Sequence, residues 1–461
     1  MTSPHKHFWA ATEPDALVGT WEREALKSET RGRDGLSPQQ VAQNPLPLAE
    51  KCSSQLREGN YRFISYKQVL KTRGHKRPPR TIAVPAARDR APLKALLSFL
   101  HSSVPSSRST LAQDKVSAVA TALATGRYRH FIRIDIQDFY PSIDHAALEA
   151  SIETHVPVAE ARTALLAAVR TPILGDIGKS KYTASAKGVP QGLPISNALA
   201  EMLLSDVDAI YQADPDIEYF RYVDDILILT KRSMHRKIYG ALSKSLEQKG
   251  LKCHPLKSND SKSTWGPTGV PIDYLGYALS SGRVSVREET VSRLKGRLAH
   301  RFVTFKNVLK NRPHFREPDQ WEKDCIDRFL WFLNISITGC ILDGRRRGWI
   351  HYFSQINDFG LLRELDHFVR SKFIREQMSI PDDLKSFIKS YRQAVRVSNN
   401  TSGYVPNFDK YSSDEQADLL RRIFRVHQDE LDALSTQDMA ILFYRKLRKE
   451  LASLETDLSF S

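Results

Sequence analysis

With 461 residues, 41% of them hydrophobic and 26% charged, the chain has the composition of an ordinary soluble globular protein and the length for two to four domains. No stretch approaches the roughly 18 apolar residues of a membrane-spanning helix, which excludes that class. The net charge of +15 points instead to phosphate-bearing partners, because lysines and arginines that neutralise phosphates release condensed counterions.

The first fifteen residues carry no apolar signal core and no cleavage pattern, so a cytoplasmic location is expected. Cys52, Cys253, Cys325 and Cys340 are scattered without C-x-x-C pairing, the pattern of reduced core thiols. Helical periodicity covers Ala16 to Lys27, the turn at 31–38 leads into another helix, and Leu46 to Glu58 is helical up to Gly59-Asn60. Tyr61 to Tyr66 reads as a strand and Thr81 to Pro85 as a second, with a basic, turn-forming run from Lys71 to Arg80 between them. Arg88-Asp89-Arg90 then opens a helix to about His101. Arg80, Arg88 and Arg90 flank a strand and a helix start, where they offer a grip for a triphosphate or a template strand.

A polar linker and a helix fill 106–125. His130 to Ile136 is a half-apolar strand carrying Asp135 near its end, followed by Q-D-F-Y-P-S-I-D (137–144). Two helices, about 146–154 and 159–168, precede a Gly- and Lys-bearing loop that ends in K-G-V-P-Q-G-L-P-I-S-N (187–197), and a helix runs on to about Tyr211. Glycine and proline at that density hold the backbone open, so its N–H groups and Gln191 can approach another molecule. Glu218 to Thr230 reads as an apolar hairpin, with Asp224-Asp225 at a two-residue turn.

Beyond it come an amphipathic helix (about 233–249), Lys257 after an extended segment, and a hairpin over 272–279 and 283–286. From Glu288 the pattern is almost wholly helical, with basic faces at 293–301 and 345–347 and with Trp349, Tyr352 and Phe353 interleaved at the second. A Gly/Ser/Asn-rich linker over 398–413 precedes a charged helical tail.

Asp135 and the pair Asp224-Asp225 lie about ninety positions apart. On neighbouring antiparallel strands they would form one acidic cluster able to hold Mg²⁺, which takes one or two carboxylates plus substrate phosphates and water. Two such ions activate a primer 3′-hydroxyl and stabilise a pyrophosphate leaving group, and Lys257 could protonate that group.

The residues I-R-I-D-I-Q-D-F-Y-P-S-I (132–143), K-G-V-P-Q-G-L-P-I-S-N (187–197), Y-V-D-D (222–225), L-K (256–257) and Y-L-G-Y (274–277) resemble, in order and spacing, the successive palm motifs of reverse transcriptases. R-T-I-A-V-P-A-A-R-D-R (80–90) resembles the finger segment. G-R-D-G-L-S (32–37) with G-N-Y-R-F (59–63) resembles the N-terminal extension of group II intron-type and related bacterial enzymes. The stretch from G-W-I-H-Y-F to L-R-E-L-D (348–366) resembles their thumb.

The resemblance implies an α+β right-hand polymerase: an N-terminal helical extension (1–66), fingers (67–114), an antiparallel-sheet palm (115–285, with a finger insertion at about 150–187), a helical thumb (286–375) and a C-terminal helical region (376–461). It implies an RNA-directed DNA polymerase using two Mg²⁺ ions, with Mn²⁺ as an alternative, an RNA template, dNTPs and a DNA product. Asp135, Ile136, Asp224 and Asp225 would hold metal, with Lys257 as the acid. Arg80, Arg90, Ile136, Asp138, Tyr140, Gln191 and Gly192 would border the nucleotide, and Tyr140 would exclude a 2′-hydroxyl. Tyr222, Tyr274, Leu275, Gly276 and Tyr277 would contact primer and template.

The chain has no Cys- or His-rich nuclease tail and lacks the N-A-x-x-H and V-T-G elements of retron enzymes. Its layout is similar to the "unknown group" bacterial enzymes, many of which act with a noncoding RNA in antiphage defence. Two other readings stay open, a noncatalytic maturase-like RNA-binding protein and an RNA-dependent RNA polymerase; intact acids argue against the first and bulky Tyr140 against the second. Oligomerisation is left open.

Overall fold

The computed structural model describes residues 3–72, 78–175, 186–258, 262–395 and 403–454. The basic tip at 73–77, most of the Lys-bearing loop (176–185) and the first part of the expected linker (396–402) lie outside the described residues. The protein is α+β and divides into two compact units, residues 1–111 with 127–267, and residues 112–126 with 268–461. Among the described residues no helix is long and apolar enough to cross a membrane.

Among the described residues the first unit holds eight strands: β1 (Tyr66–Lys71), β2 (Arg80–Val84), β3 (His130–Gln137), β4 (Ile173–Leu174), β5 (Ile217–Tyr222), β6 (Asp225–Thr230), β7 (Lys252–Cys253) and β8 (Thr264–Pro267). A small sheet in the order β2-β1-β4 stands beside the main one, in the order β5-β6-β3-β7, with β8 also pairing β3. The period-2 alternation of β3 orients the main sheet. Ile132, Ile134 and Ile136 are buried in the core, while Arg133, Asp135 and Gln137 take the other, half-buried face. Between Asp225 and Thr230 β6 is wholly apolar, and Ile226 to Thr230 are all buried, as in a strand covered on both sides. Helix Ser196–Gln212 contributes buried Ala198, Leu199, Met202 and Leu203 to the same core.

The N-terminal helices join this core through Phe8, Leu17, Trp21 and Leu56. In the G-R-D-G-L-S segment, Gly32 lies so close to the chain at 85–86 that a Cβ would stand 2.4 Å from the Ala86 Cα, so only glycine fits. Ser37 then caps helix Pro38–Ala42 in a reciprocal box with Gln40.

Tyr61 to Ser65 is not the strand its alternating aromatics suggest; β1 begins only at Tyr66. A side chain takes the place of the ladder there. The buried Asp89 carboxylate accepts from the Tyr61 hydroxyl at 2.7 Å and from the Ile64 backbone N–H at 2.8 Å, while Tyr61 packs edge-on against Phe63.

In the second unit, β9 (Ile272–Tyr274), β10 (Tyr277–Ser280) and β11 (Arg283–Val286) form a meander. The turn between β9 and β10 places Leu275 and Gly276 at φ 49° and 79°, the left-handed pair of a tight hairpin. Helices Glu288–Lys310, Pro318–Thr338 and Phe359–Arg375 follow, as the helical pattern predicts.

Arg345–Arg347 departs from that pattern. It is β13, paired antiparallel with β12 (Cys340–Leu342), because Asp343-Gly344, both at positive φ, turn the chain back. Trp349 and Phe353 are fully buried beside it, packing on each other and, through Trp349, on Phe387. Of the aromatics interleaved with the arginines in sequence, Trp349 and Phe353 are therefore core, and Tyr352 is half-buried. A separate apolar cluster joins Ile335, Cys340, Leu342, Phe408, Leu420, Phe443 and Leu447, which ties the C-terminal helices to helix Pro318–Thr338.

Candidate active site

Antiparallel pairing of β3 with β6 sets Asp135 directly opposite Asp225, and pairing of β6 with β5 sets Tyr222 opposite Asp225. The two-residue turn is therefore Val223-Asp224, one residue earlier than the sequence suggests, with Asp225 already the first residue of β6. Val223 adopts φ 56°, a left-handed conformation that β-branched residues rarely take and that costs backbone strain. The Arg221 guanidinium helps to hold it, donating from Nη1 to the Val223 carbonyl at 3.1 Å. That guanidinium is itself buried and fixed by Asp208, at 2.5 and 2.8 Å, and by Glu201, at 2.7 Å.

The three acids differ in surroundings. Asp135 is answered by the chain: its Oδ2 accepts from Lys262 Nζ at 2.7 Å, His254 Nε2 lies at 3.4 Å, and its backbone N–H donates to Ser263 Oγ at 3.1 Å. Burial raises the Asp224 carboxyl pKa, and the Asp135 charge adds to it, against Arg80 and Lys262. Burial pushes Asp225 up to about 7, with Arg133 opposing and the two neighbouring acids adding. Its buried Oδ1 has no hydrogen-bond partner. A carboxylate so placed binds a proton or a metal cation more readily than an ordinary surface acid.

Among the described residues no three His, Cys, Asp or Glu side chains close into a metal cage. A Mg²⁺ site does not need one, since phosphates and water complete its shell. The donor set suits such an ion, with hard carboxylate oxygens, one of them buried and unpartnered. The Ile136 side chain faces the core, which leaves only its main chain for that role.

Tyr140 lies at the same place. Its half-buried ring packs edge-on against Phe139, its hydroxyl donates to Asn197 Oδ1 at 3.2 Å, and burial and then the Asp224 charge raise its pKa. Arg80, at the start of β2, is close enough to act on both Tyr140 and Asp224. Asp138 is exposed at φ 39°.

The 187–197 loop is clamped rather than loose. The Gly188 and Val189 N–H groups donate to the Ile143 and Tyr140 carbonyls, each at 2.8 Å, and the Ala83 N–H of β2 donates to the Gln191 carbonyl at 2.6 Å. Gly192 adopts φ 105°, where a Cβ would meet the Ala83 carbonyl oxygen and Ile82 Cγ2, both at 2.8 Å. Buried Gln191 Oε1 has no partner.

The structure thus gathers Asp135, Asp224, Asp225, Tyr140, Tyr222 and Arg80. Arg90 is elsewhere, buried with its Nη1 at 3.5 Å from Glu24 and its Nη2 donating to the Thr30 carbonyl. Lys257 is exposed, and Lys262 is the lysine that reaches Asp135. Lys262, His254, Ser263 and Arg133 are the site's unforeseen members; only Arg133 falls inside a quoted motif, the 132–143 segment, where it was given no role. Tyr274 to Tyr277 belong to the second unit. Their rings are buried, and the Tyr277 hydroxyl donates to the Tyr352 carbonyl.

Residues 69–279 match the family model described as "Reverse transcriptase (RNA-dependent DNA polymerase)". Protein YkfC of Escherichia coli (strain K12) is 22% identical over 285 residues, covering 48% of this chain and 73% of that protein. Among solved structures, apo telomerase from Candida tropicalis truncated from its C-terminal domain is similar at a TM-score of 0.37 and 17% identity, covering 49% of this chain and 55% of that one. Telomerase from Candida albicans in complex with a TWJ fragment of telomeric RNA gives 0.38 and 13%, covering 86% and 69%. The chain spans about half the length of the first of these structures.

Proposed function

We propose that this chain, which belongs to the reverse transcriptase family, copies RNA into DNA at the carboxylates of β3 and the β5–β6 turn. The observation that carries the reading is Asp135 standing opposite Asp225 with Asp224 at the adjoining turn, inside the segment that matches the family model. Two divalent ions bound there would supply activation of the primer hydroxyl and neutralise charge on the leaving pyrophosphate. Asp135, Asp224, Asp225 and the Ile136 carbonyl hold them. Lys262 supplies positive charge beside Asp135. Arg80 meets the triphosphate, Tyr140 bounds the sugar, and Gln191 with Gly192 borders the template and the incoming base. Fingers, palm, thumb and C-terminal region take the boundaries given above, with Tyr274–Tyr277 on the primer side. A dedicated noncoding RNA in antiphage defence is the finer reading, supported by the net charge of +15 and the likeness to bacterial defence-associated enzymes.

The double substitution Asp224→Ala with Asp225→Ala should cut incorporation by about a thousandfold or more, the loss expected when several kcal/mol of charge stabilisation goes. RNA binding and the circular dichroism spectrum should be retained. Incorporation at the wild-type rate would sink the assignment. Tyr140→Ala should admit ribonucleotides, shifting the dNTP-to-rNTP preference by about tenfold or more. A wild-type protein that already prefers rNTPs would favour the RNA polymerase reading instead.

A further inference from the structure

Asn197, the last residue of the K-G-V-P-Q-G-L-P-I-S-N segment, stands half-buried in the first turn of helix Ser196–Gln212. Its amide joins two other parts of the chain. Oδ1 accepts from the Tyr140 hydroxyl at 3.2 Å, and Nδ2 donates to Ser109 Oγ at 3.1 Å. An amide engaged at both ends has a fixed orientation. Ser109 follows the 3-10 turn Pro105–Ser107, which packs on the same helix and buries Ser107, whose hydroxyl donates to the Val104 carbonyl at 2.7 Å.

One segment therefore holds Tyr140 at both ends. The Tyr140 carbonyl accepts from the Val189 N–H at 2.8 Å, and the hydroxyl reaches Asn197. Phe139 packs edge-on against the ring, with 5.1 Å between centroids. Rotation about χ1 carries the hydroxyl through the widest arc of any atom in the side chain, so a contact there restrains the ring most.

The same helix face continues to the turn that carries Asp224. Asn197, Glu201 and Asp208 stand at i, i+4 and i+11, within one stripe. Glu201 and Asp208 grip the Arg221 guanidinium that donates to the Val223 carbonyl. Burial raises the Tyr140 and Tyr222 hydroxyl pKa values, and the Glu201 charge adds to each, as expected of neighbours.

We propose that Asn197 is a positioning residue for sugar selection: its side-chain oxygen holds the Tyr140 ring where the ring would meet a 2′-hydroxyl, and so sets the preference for dNTPs over rNTPs. The inference rests on the polymerase reading, in which Tyr140 bounds the sugar, and deepens it. Leucine is close to asparagine in size but offers no acceptor, so Asn197→Leu removes the tether and leaves the ring free to turn.

The test is single-nucleotide incorporation by the full chain on an RNA template with an annealed DNA primer, measuring kcat and KM for a dNTP and for the matching rNTP. In Asn197→Leu the dNTP-to-rNTP ratio of kcat/KM should fall about fivefold, the factor that one neutral hydrogen bond supports, through the KM for the rNTP rather than through kcat. Tyr140→Phe keeps the ring, loses the hydroxyl, and should lower the ratio by a similar factor. The two substitutions together should lower it no further, because both delete one bond. Asn197→Asp keeps the acceptor at a helix N-terminus, where a carboxylate is favoured, and should hold the ratio within about twofold of wild type. Should Asn197→Leu not fold, Tyr140→Phe and Asn197→Asp carry the same contrast.

A ratio unchanged in Asn197→Leu or in Tyr140→Phe would overturn the proposal. So would losses that multiply in the double variant, an Asn197→Asp ratio as low as that of Asn197→Leu, or a kcat lost equally for both nucleotides with the ratio held. In each of these cases a wild type that prefers dNTPs, with a Tyr140→Ala variant that admits rNTPs, leaves the polymerase reading standing. A wild type that incorporates neither nucleotide, or that prefers rNTPs, overturns that reading and this inference with it.

Discussion

Two charge clusters lie three residues apart on the same hairpin, and the chain treats them oppositely. Around Arg221 the account is closed: Asp208 and Glu201 answer the guanidinium, Tyr219 donates to Asp208 at 2.8 Å, and the remaining Arg221 contact goes to the Val223 carbonyl. Around Asp224 and Asp225 it is open. Both carboxyls are pushed up by burial and by neighbouring acids, and Asp225 Oδ1 is buried without a partner. A closed buried network holds a shape, whereas a buried carboxylate without a hydrogen-bond partner favours binding a proton or a cation. Here the closed one fixes the turn that presents the open one, which links the stability of the sheet to the chemistry at its end.

Breaking the closed cluster should have the largest effect on stability. Arg221→Met leaves Asp208 and Glu201 half-buried without their cation, a cost of about 3–5 kcal/mol. For a chain of this size that lowers Tm by about 3–5 °C. Differential scanning calorimetry checks it, and a variant that unfolds with wild type would mean that the network contributes little. Breaking the open cluster should act in the other direction. Asp225→Asn removes a carboxylate that burial and the neighbouring acids disfavour in its charged form, and should raise stability in EDTA by about 1–2 kcal/mol while incorporation collapses. Equal or lower stability of Asp225→Asn would show that Arg133 and Lys262 already neutralise the site.

The open cluster was the more legible of the two. Alternation in I-R-I-D-I-Q puts the isoleucines on one face and Asp135 on the other, and the expectation that the acids cluster needed β3 and β6 to be neighbours, as they are. The turn was misplaced by one residue because Val223, not an asparagine or glycine, takes the left-handed position, against its propensity. Tyr61 to Ser65 mimicked a strand because Tyr61 and Phe63 are spaced like one, while the group that fixes them, Asp89, is 28 positions away from Tyr61 in sequence. The aromatics at 349–353 could be read as surface or core with equal ease, and only packing decided for core. Lys262 had no pattern at all; what makes it part of the site is the antiparallel pairing of β8 with β3.

That lysine gives the smallest effect and the sharpest view of how open the second cluster is. The Lys262 ammonium sits 2.7 Å from Asp135 Oδ2, where its positive charge offsets that of the carboxylate. Its side chain is about a third exposed, so solvent screens the pair and its contribution is under about 1 kcal/mol. Lys262→Met removes a competitor for the Asp135 oxygen and a positive charge that repels an arriving cation. The Mn²⁺ or Mg²⁺ concentration that half-stabilises the protein against heat should therefore fall by about two- to fivefold, the factor that such an energy allows. The metal-free Tm should drop slightly, because Asp135 loses its partner. If the half-stabilising concentration rises instead, Lys262 orients Asp135 for the metal rather than standing in for it, and the site is less open than its buried carboxylates suggest.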